Sequence, residues 1–180
     1  TKLYAVGGTD QYLASVEVLD PAVGHWTPGP PLATARRQFG LAARGTKLYA
    51  VGGYDGVQAL ASVEVLDPVV GNWTAGPPLA TARCEFGLAA LGTKLYAVGG
   101  TYQDLASVEV RAPALGPWTH GPPPATAQRQ LGLADLRTPL YALGATDGAQ
   151  PHASADTPDP LSGHRRTTRK LAHTTRESDP

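Results

Sequence analysis

The sequence predicts an all-β chain in which four-stranded antiparallel sheets recur as the blades of a β-propeller. Three observations lead there. Thr1-Lys2-Leu3-Tyr4-Ala5-Val6-Gly7-Gly8 returns at residues 46–53 and 93–100, with a worn copy at 138–145, so the offsets are 45, 47 and 45. The apolar runs between glycines and prolines are too short for confident helices, and they suit strands better. Trp26, Trp73 and Trp118 keep the same rhythm, 47 and then 45. Self-similarity at such a period marks a repeat architecture rather than one globular core. Repeat proteins usually present surfaces to partners, so binding comes before chemistry as an expectation.

One repeat supplies the strands in order. Glu85-Phe86-Gly87-Leu88-Ala89-Ala90-Leu91 is a first apolar run, and Lys94-Leu95-Tyr96-Ala97-Val98 a second, closed by Gly99-Gly100. The double glycine ends the strand where the backbone needs positive φ or where another backbone comes close. In the preceding repeat Ser62-Val63-Glu64-Val65-Leu66-Asp67 alternates with period two and stops at Pro68, which cannot continue a central strand. Asn72-Trp73-Thr74 is a brief fourth strand, ended by Gly76-Pro77-Pro78. Four short antiparallel strands split by Gly and Pro turns describe one blade. The Tyr and Trp of each repeat are expected between blades, because each has a large apolar body and one polar handle.

The units start near residues 1, 46, 93 and 138 and occupy residues 1–145; residues 146–180 are expected to form a degenerate fourth blade and a disordered basic tail. The first unit has no first strand of its own. In the last unit Pro158 falls inside the third strand, Arg165 takes the tryptophan position, and residues 161–180 carry five Lys or Arg against two Asp or Glu. About three good blades and one poor one predict an open partial propeller, whose end faces need an oligomer or further blades to cover them. A chain that starts in mid-repeat, with no methionine at all, reads as a piece of something longer.

Composition excludes several classes. Fifteen basic and 15 acidic side chains cancel, which argues against nucleic acid or an anionic membrane as partner. No apolar run approaches the roughly 20 residues of a membrane helix. Cys84 is the single cysteine, so no internal disulfide forms, in keeping with a cytoplasmic setting. G-x-S-x-G, P-loop and H-E-x-x-H motifs are absent, and His25, His120, His152, His164 and His173 show no ligand spacing. No cofactor, metal or enzymatic activity is expected. Asp10, Asp55 and Asp104 recur in turns, and turn formation is the simpler account of them than a carboxylate cluster.

The Gly-Gly pair after a strand, the following Tyr and the later Trp, as in Gly52-Gly53 with Trp73 and Gly99-Gly100 with Trp118, resemble the kelch repeat. The wording Leu48-Tyr49-Ala50-Val51-Gly52-Gly53-Tyr54-Asp55-Gly56 followed by Ser62-Val63-Glu64-Val65 is most similar to the kelch domains of BTB-kelch adaptor proteins. The resemblance implies a protein-interaction module: the substrate-recognition part of a cullin-RING ubiquitin-ligase adaptor, or an actin-associated kelch protein. It also leaves two alternatives, a carbohydrate-active propeller of the mutarotase or oxidase kind, and a non-functional fragment.

Candidate partner-binding residues lie in the turns, where a repeated scaffold carries its specificity. Tyr12, Tyr54 with Asp55, and Tyr102 mark the turns between second and third strands; Arg36 with Arg37, Arg83 and Arg129 mark those that lead into a new blade. Tyr and Arg are favoured at interface hot spots. In BTB-kelch relatives, arginines at the positions of Arg36 and Arg83 line the partner face, and clustered guanidinium groups suit an acidic peptide. The third repeat departs from this, with Gln128 in that slot and Arg129 one place later. The competing role for each arginine is that of a solvated turn residue or of a bond to nearby backbone carbonyls.

Overall fold

The computed structural model describes residues 1–8, 12–100, 106–112, 116–124, 132–135, 140–146, 151–158 and 165–168. Within them every regular element is a strand. Four antiparallel sheets follow one another, each a simple meander. The first holds β1 (Leu3–Val6), β2 (Val16–Leu19) and β3 (Trp26–Pro28). The second holds β4 (Gly40–Arg44), β5 (Lys47–Val51), β6 (Val63–Asp67) and β7 (Asn72–Gly76). The third holds β8 (Gly87–Leu91), β9 (Lys94–Val98), β10 (Val108–Arg111) and β11 (Thr119–Gly121). The fourth holds β12 (Gly132–Asp135), β13 (Leu140–Thr146), β14 (Pro151–Pro158) and β15 (Arg165–Thr168). The expected architecture, all-β blades in a partial propeller, is the one observed. The first sheet has three strands and lacks the innermost, as the sequence indicates.

Neighbouring blades meet through their first strands, β4 beside β8 and β8 beside β12. Between the second and third sheets lies the largest apolar cluster, in which Tyr49, Val51 and Val63 of one blade meet Phe86, Leu95 and Trp118. The Tyr and Trp positions of these repeats therefore do fill the space between blades. Each indole also uses its polar handle: Trp73 Nε1 donates to the Pro30 carbonyl at 2.9 Å, and Trp118 Nε1 to that of Pro77 at 3.0 Å. Trp26, at the matching position of the first sheet, stays 46% exposed.

The double glycines sit where the crossover out of a blade passes over the end of its second strand. Gly52 has φ +60°, and a Cβ there would lie 2.6 Å from the Arg83 carbonyl oxygen. The next residue, Gly53, donates its N–H to that same oxygen at 2.9 Å. Both reasons foreseen for the pair, positive φ and close backbone approach, apply together.

The expected degenerate fourth blade and basic tail fall on residues 146–180, which include residues 161–180. Four of those residues, Arg165–Thr168, form β15 and pair with β14. Strand pairing needs only backbone groups on the open edge of β14, so the poor side chains do not prevent it. Pro158 ends β14 rather than interrupting it, at a position where its missing N–H costs little. Arg165 pairs with Pro158 just as Trp73 pairs with Leu66 and Trp26 with Leu19. It thus holds the tryptophan's place in the register.

Candidate functional site

Two of the expected partner-binding arginines are corrected by the fold. Arg36 and Arg83 are both 0% exposed and cannot offer their guanidinium groups to an acidic peptide. Arg36 donates through Nη1 to the Gly52 and Ser62 carbonyls at 2.7 and 3.2 Å. Its Nη2 reaches Ser62 Oγ at 3.1 Å and Glu64 Oε1 at 2.8 Å. Arg83 repeats the set with Gly99, Ser107 and Glu109, its Nη2 lying 2.7 Å from Glu109 Oε1. The two carboxylates are used up as well. Glu64 accepts the N–H groups of Ala33 and Thr34, and Glu109 those of Ala80 and Thr81. Burial pulls the Arg36 guanidinium below its ordinary value, and the Glu64 carboxylate opposes that shift. Each Arg–Glu pair is thus a clamp that fastens a crossover onto the third strand of the blade it enters. The alternative role, a bond to backbone carbonyls, is the one the structure displays.

A different group comes together on the turn surface. Tyr12 lies in the turn between β1 and β2, Arg37 in the crossover before β4, and Tyr54 and Asp55 in the turn after β5. Arg37 and Tyr54 are tied by a two-way backbone bridge, N–H to carbonyl at 3.0 and 2.9 Å. That bridge holds the Arg37 guanidinium over two rings, its Cζ 4.9 Å from the Tyr12 centroid and 5.6 Å from that of Tyr54. The rings are 6.2 Å apart and tilted by 46°. Cations over aromatic faces at this range are attracted by the ring quadrupole. Arg37 is half-buried, and its Nε is buried with no hydrogen-bond partner. Gly56, the Gly of the Asp-Gly turn, has φ +104°, and a Cβ there would stand 3.1 Å from the Tyr12 ring. Its bare backbone lets the first blade's tyrosine lie against the second blade's turn.

Asp55 shapes that turn. Its Oδ1 accepts the Val57 and Gln58 N–H groups, both at 2.8 Å. These backbone bonds, Gln58 first and then Val57, hold the carboxyl below its ordinary range. In this bonded turn Val57 is 80% exposed, and Tyr12, which lies against Gly56, is 39% exposed. Sequence reasoning passed over Val57. Its signal is its place directly after the Asp-Gly turn, where an apolar side chain has no strand to bury it.

Of the remaining expected residues, Tyr102 and Arg129 lie outside the described residues, as do Asp10 and Asp104. Cys84 is buried, and His25 and His120 are exposed. Among the described residues no group of His, Cys, Asp and Glu could hold a metal ion, and no helix is long and apolar enough to cross a membrane.

One feature of the site is shared with the next blade. Gln38 and Glu85, equivalent residues of successive crossovers, both adopt φ 53° despite carrying side chains. Glu85 N–H donates to the Gln38 carbonyl at 3.0 Å, and Gln38 Nε2 to Glu85 Oε1 at 2.6 Å. Crossover is thus linked to crossover along the inner rim, next to Arg37. Left-handed backbone at non-glycine residues persists only where surroundings enforce it.

The blades, their double glycines and the tryptophans of their last strands agree with a known motif. The Kelch motif matches the chain twice, at residues 1–33 and 35–80. This supports a kelch-repeat protein. The two matched stretches carry Tyr12, Arg37, Tyr54 and Asp55, so the turn cluster lies within kelch sequence. Kelch repeats generally mediate protein–protein interaction.

Proposed function

We propose that the protein recognises an acidic segment of a protein partner through the turn surface built by Tyr12, Arg37, Tyr54 and Asp55. The carrying observation is the half-buried Arg37 guanidinium held against two tyrosine rings on the turn surface. A guanidinium pinned in this way has lost its side-chain freedom before binding and offers a preformed fork to a carboxylate. Tyr12 supplies exposed ring area beside it, Val57 is exposed in the same turn as Tyr54, and Tyr and Arg are the residue types that dominate interface energetics. Within that role, the wording shared with BTB-kelch adaptors favours recruitment of a substrate for ubiquitination over actin association. The single cysteine suits the reducing cytoplasm where such adaptors work.

The test uses arrayed Glu- and Asp-rich peptides that contain an aromatic residue, with affinity measured by fluorescence anisotropy. Arg37→Ala and Tyr12→Ala should each weaken the best binder by roughly tenfold or more, the order of a hot-spot loss. Both variants should melt close to the parent chain. Unchanged binding in either would remove this surface as the recognition site.

A further inference from the structure

A cavity of about 230 Å³ opens on the face of the third blade. Its floor is Tyr96, Val98, Val108 and Val110, and Pro122 forms part of its wall. The equivalent floor on the second blade, Tyr49, Val51, Val63 and Val65, is covered by Trp118 from the blade that follows. The indole N–H there is received by the Pro77 carbonyl, and Pro77 stands in its repeat where Pro122 stands in the next. Trp73 makes the same bond to Pro30 one blade earlier. Two successive sockets therefore take a tryptophan with the same polar handshake. At the third the chain offers Arg165, which occupies the tryptophan's register position in β15. Leu133 packs against the neighbouring cluster of Tyr96, Val98 and Val108, so the inner part of this face is covered while the outer part forms the cavity.

We propose that this cavity is a tryptophan socket that receives the indole side chain of a partner polypeptide. The chemistry follows from the two filled sockets: a tyrosine and valine floor for the flat apolar body, and a proline carbonyl for the N–H. Size agrees, since an apolar cavity of about 150 Å³ already binds benzene, and an indole is larger. This is a second contact, on a different blade from the Arg37 cluster and independent of it. Exposed apolar concavities of this kind mark interaction sites.

The probe is N-acetyl-tryptophanamide, titrated by NMR against the full chain. Saturable shifts confined to Tyr96, Val98, Val108 and Val110 are expected. Arg165→Trp puts a tryptophan at the register position that Trp73 holds in its own blade. It should raise the melting temperature and abolish the shifts. Val110→Phe, which fills the cavity from its floor, serves if the first variant fails to fold, and it too should abolish binding. Absence of shifts in the parent chain, or equal binding by a folded variant, overturns the proposal. Self-association that disappears in Trp26→Ala would also overturn it, because the indole would then come from a second copy of this chain.

Discussion

Arg83 and Arg111 are both buried cations, and they differ in what surrounds them. Arg83 has carbonyls, a serine hydroxyl and Glu109 about its guanidinium group. Arg111 is 6% exposed, leans on the Tyr49 ring at 5.5 Å, and has no partner for Nε or Nη1. Burial depresses its ordinary value; Tyr49 opposes that shift, and the like charge of Arg44 adds to it. The first and second repeats place Leu19 and Leu66 at the same point in the strand. Removing one member of a buried ion pair leaves the other charge uncompensated, at about 3–5 kcal/mol. Arg83→Ala should therefore destabilise the chain by about that amount, whereas Arg111→Leu should stabilise it by roughly 1 kcal/mol. Urea midpoints decide between these signs, and an Arg111→Leu chain less stable than the parent would contradict this account of the site. The clamp role of Arg36 and Arg83 was partly legible in the sequence. Each arginine is followed by an Ala-Ser-Val-Glu-Val segment in the next unit, which supplies its serine and its glutamate. The resemblance to adaptor proteins pointed instead to a partner face. Spacing alone could not show that the crossover folds back over the third strand.

The turn from Tyr54 to Gln58 behaves as an element in its own right. Its Asp-Gly signal was plain in the sequence, and the structure adds the two N–H bonds that Asp55 accepts. Those bonds favour the charged carboxylate, which sets the direction of a pH effect. The carboxyl is held below its ordinary 3.8, so its contribution is fully present above that value and is lost as pH falls through the lowered one. Amide protection at Val57 and Gln58, taken relative to the intrinsic exchange rate at each pH, should hold from neutral pH down to about 4 and fall on further acidification. In Asp55→Asn the side-chain oxygen still accepts, so that acid step should vanish while the turn persists. An acid step of the same size in the Asn variant would assign it to another group. The packing of Tyr12 against this turn was not legible, because it joins loops of two different blades and no local pattern encodes the meeting.

At the scale of the whole molecule, stability depends on contacts between adjacent blades, and the tryptophans report on it. Trp118 is 5% exposed within the second-to-third blade cluster, whereas Trp26 is 46% exposed on the first sheet. Trp118→Ala should cost about 3–5 kcal/mol, as large-to-small core changes do. Trp26→Ala should stay within about 0.5 kcal/mol of the parent, as surface changes do. Equal losses on thermal or chemical unfolding would mean that the first sheet's tryptophan is covered in solution. By itself the sequence determined the strands, their order within each blade, the blade period and the erosion of the fourth repeat. All of these depend on local periodicity and on glycine and proline, which act over a few residues. Only the tertiary structure decided which arginines are clamps and which one reaches the turn surface, that Tyr12 and Tyr54 share a cation, and that a cavity lies on the third blade's face. Those outcomes depend on how one repeat lies over the next, and nearly identical repeats become unlike only through the neighbours they are packed against.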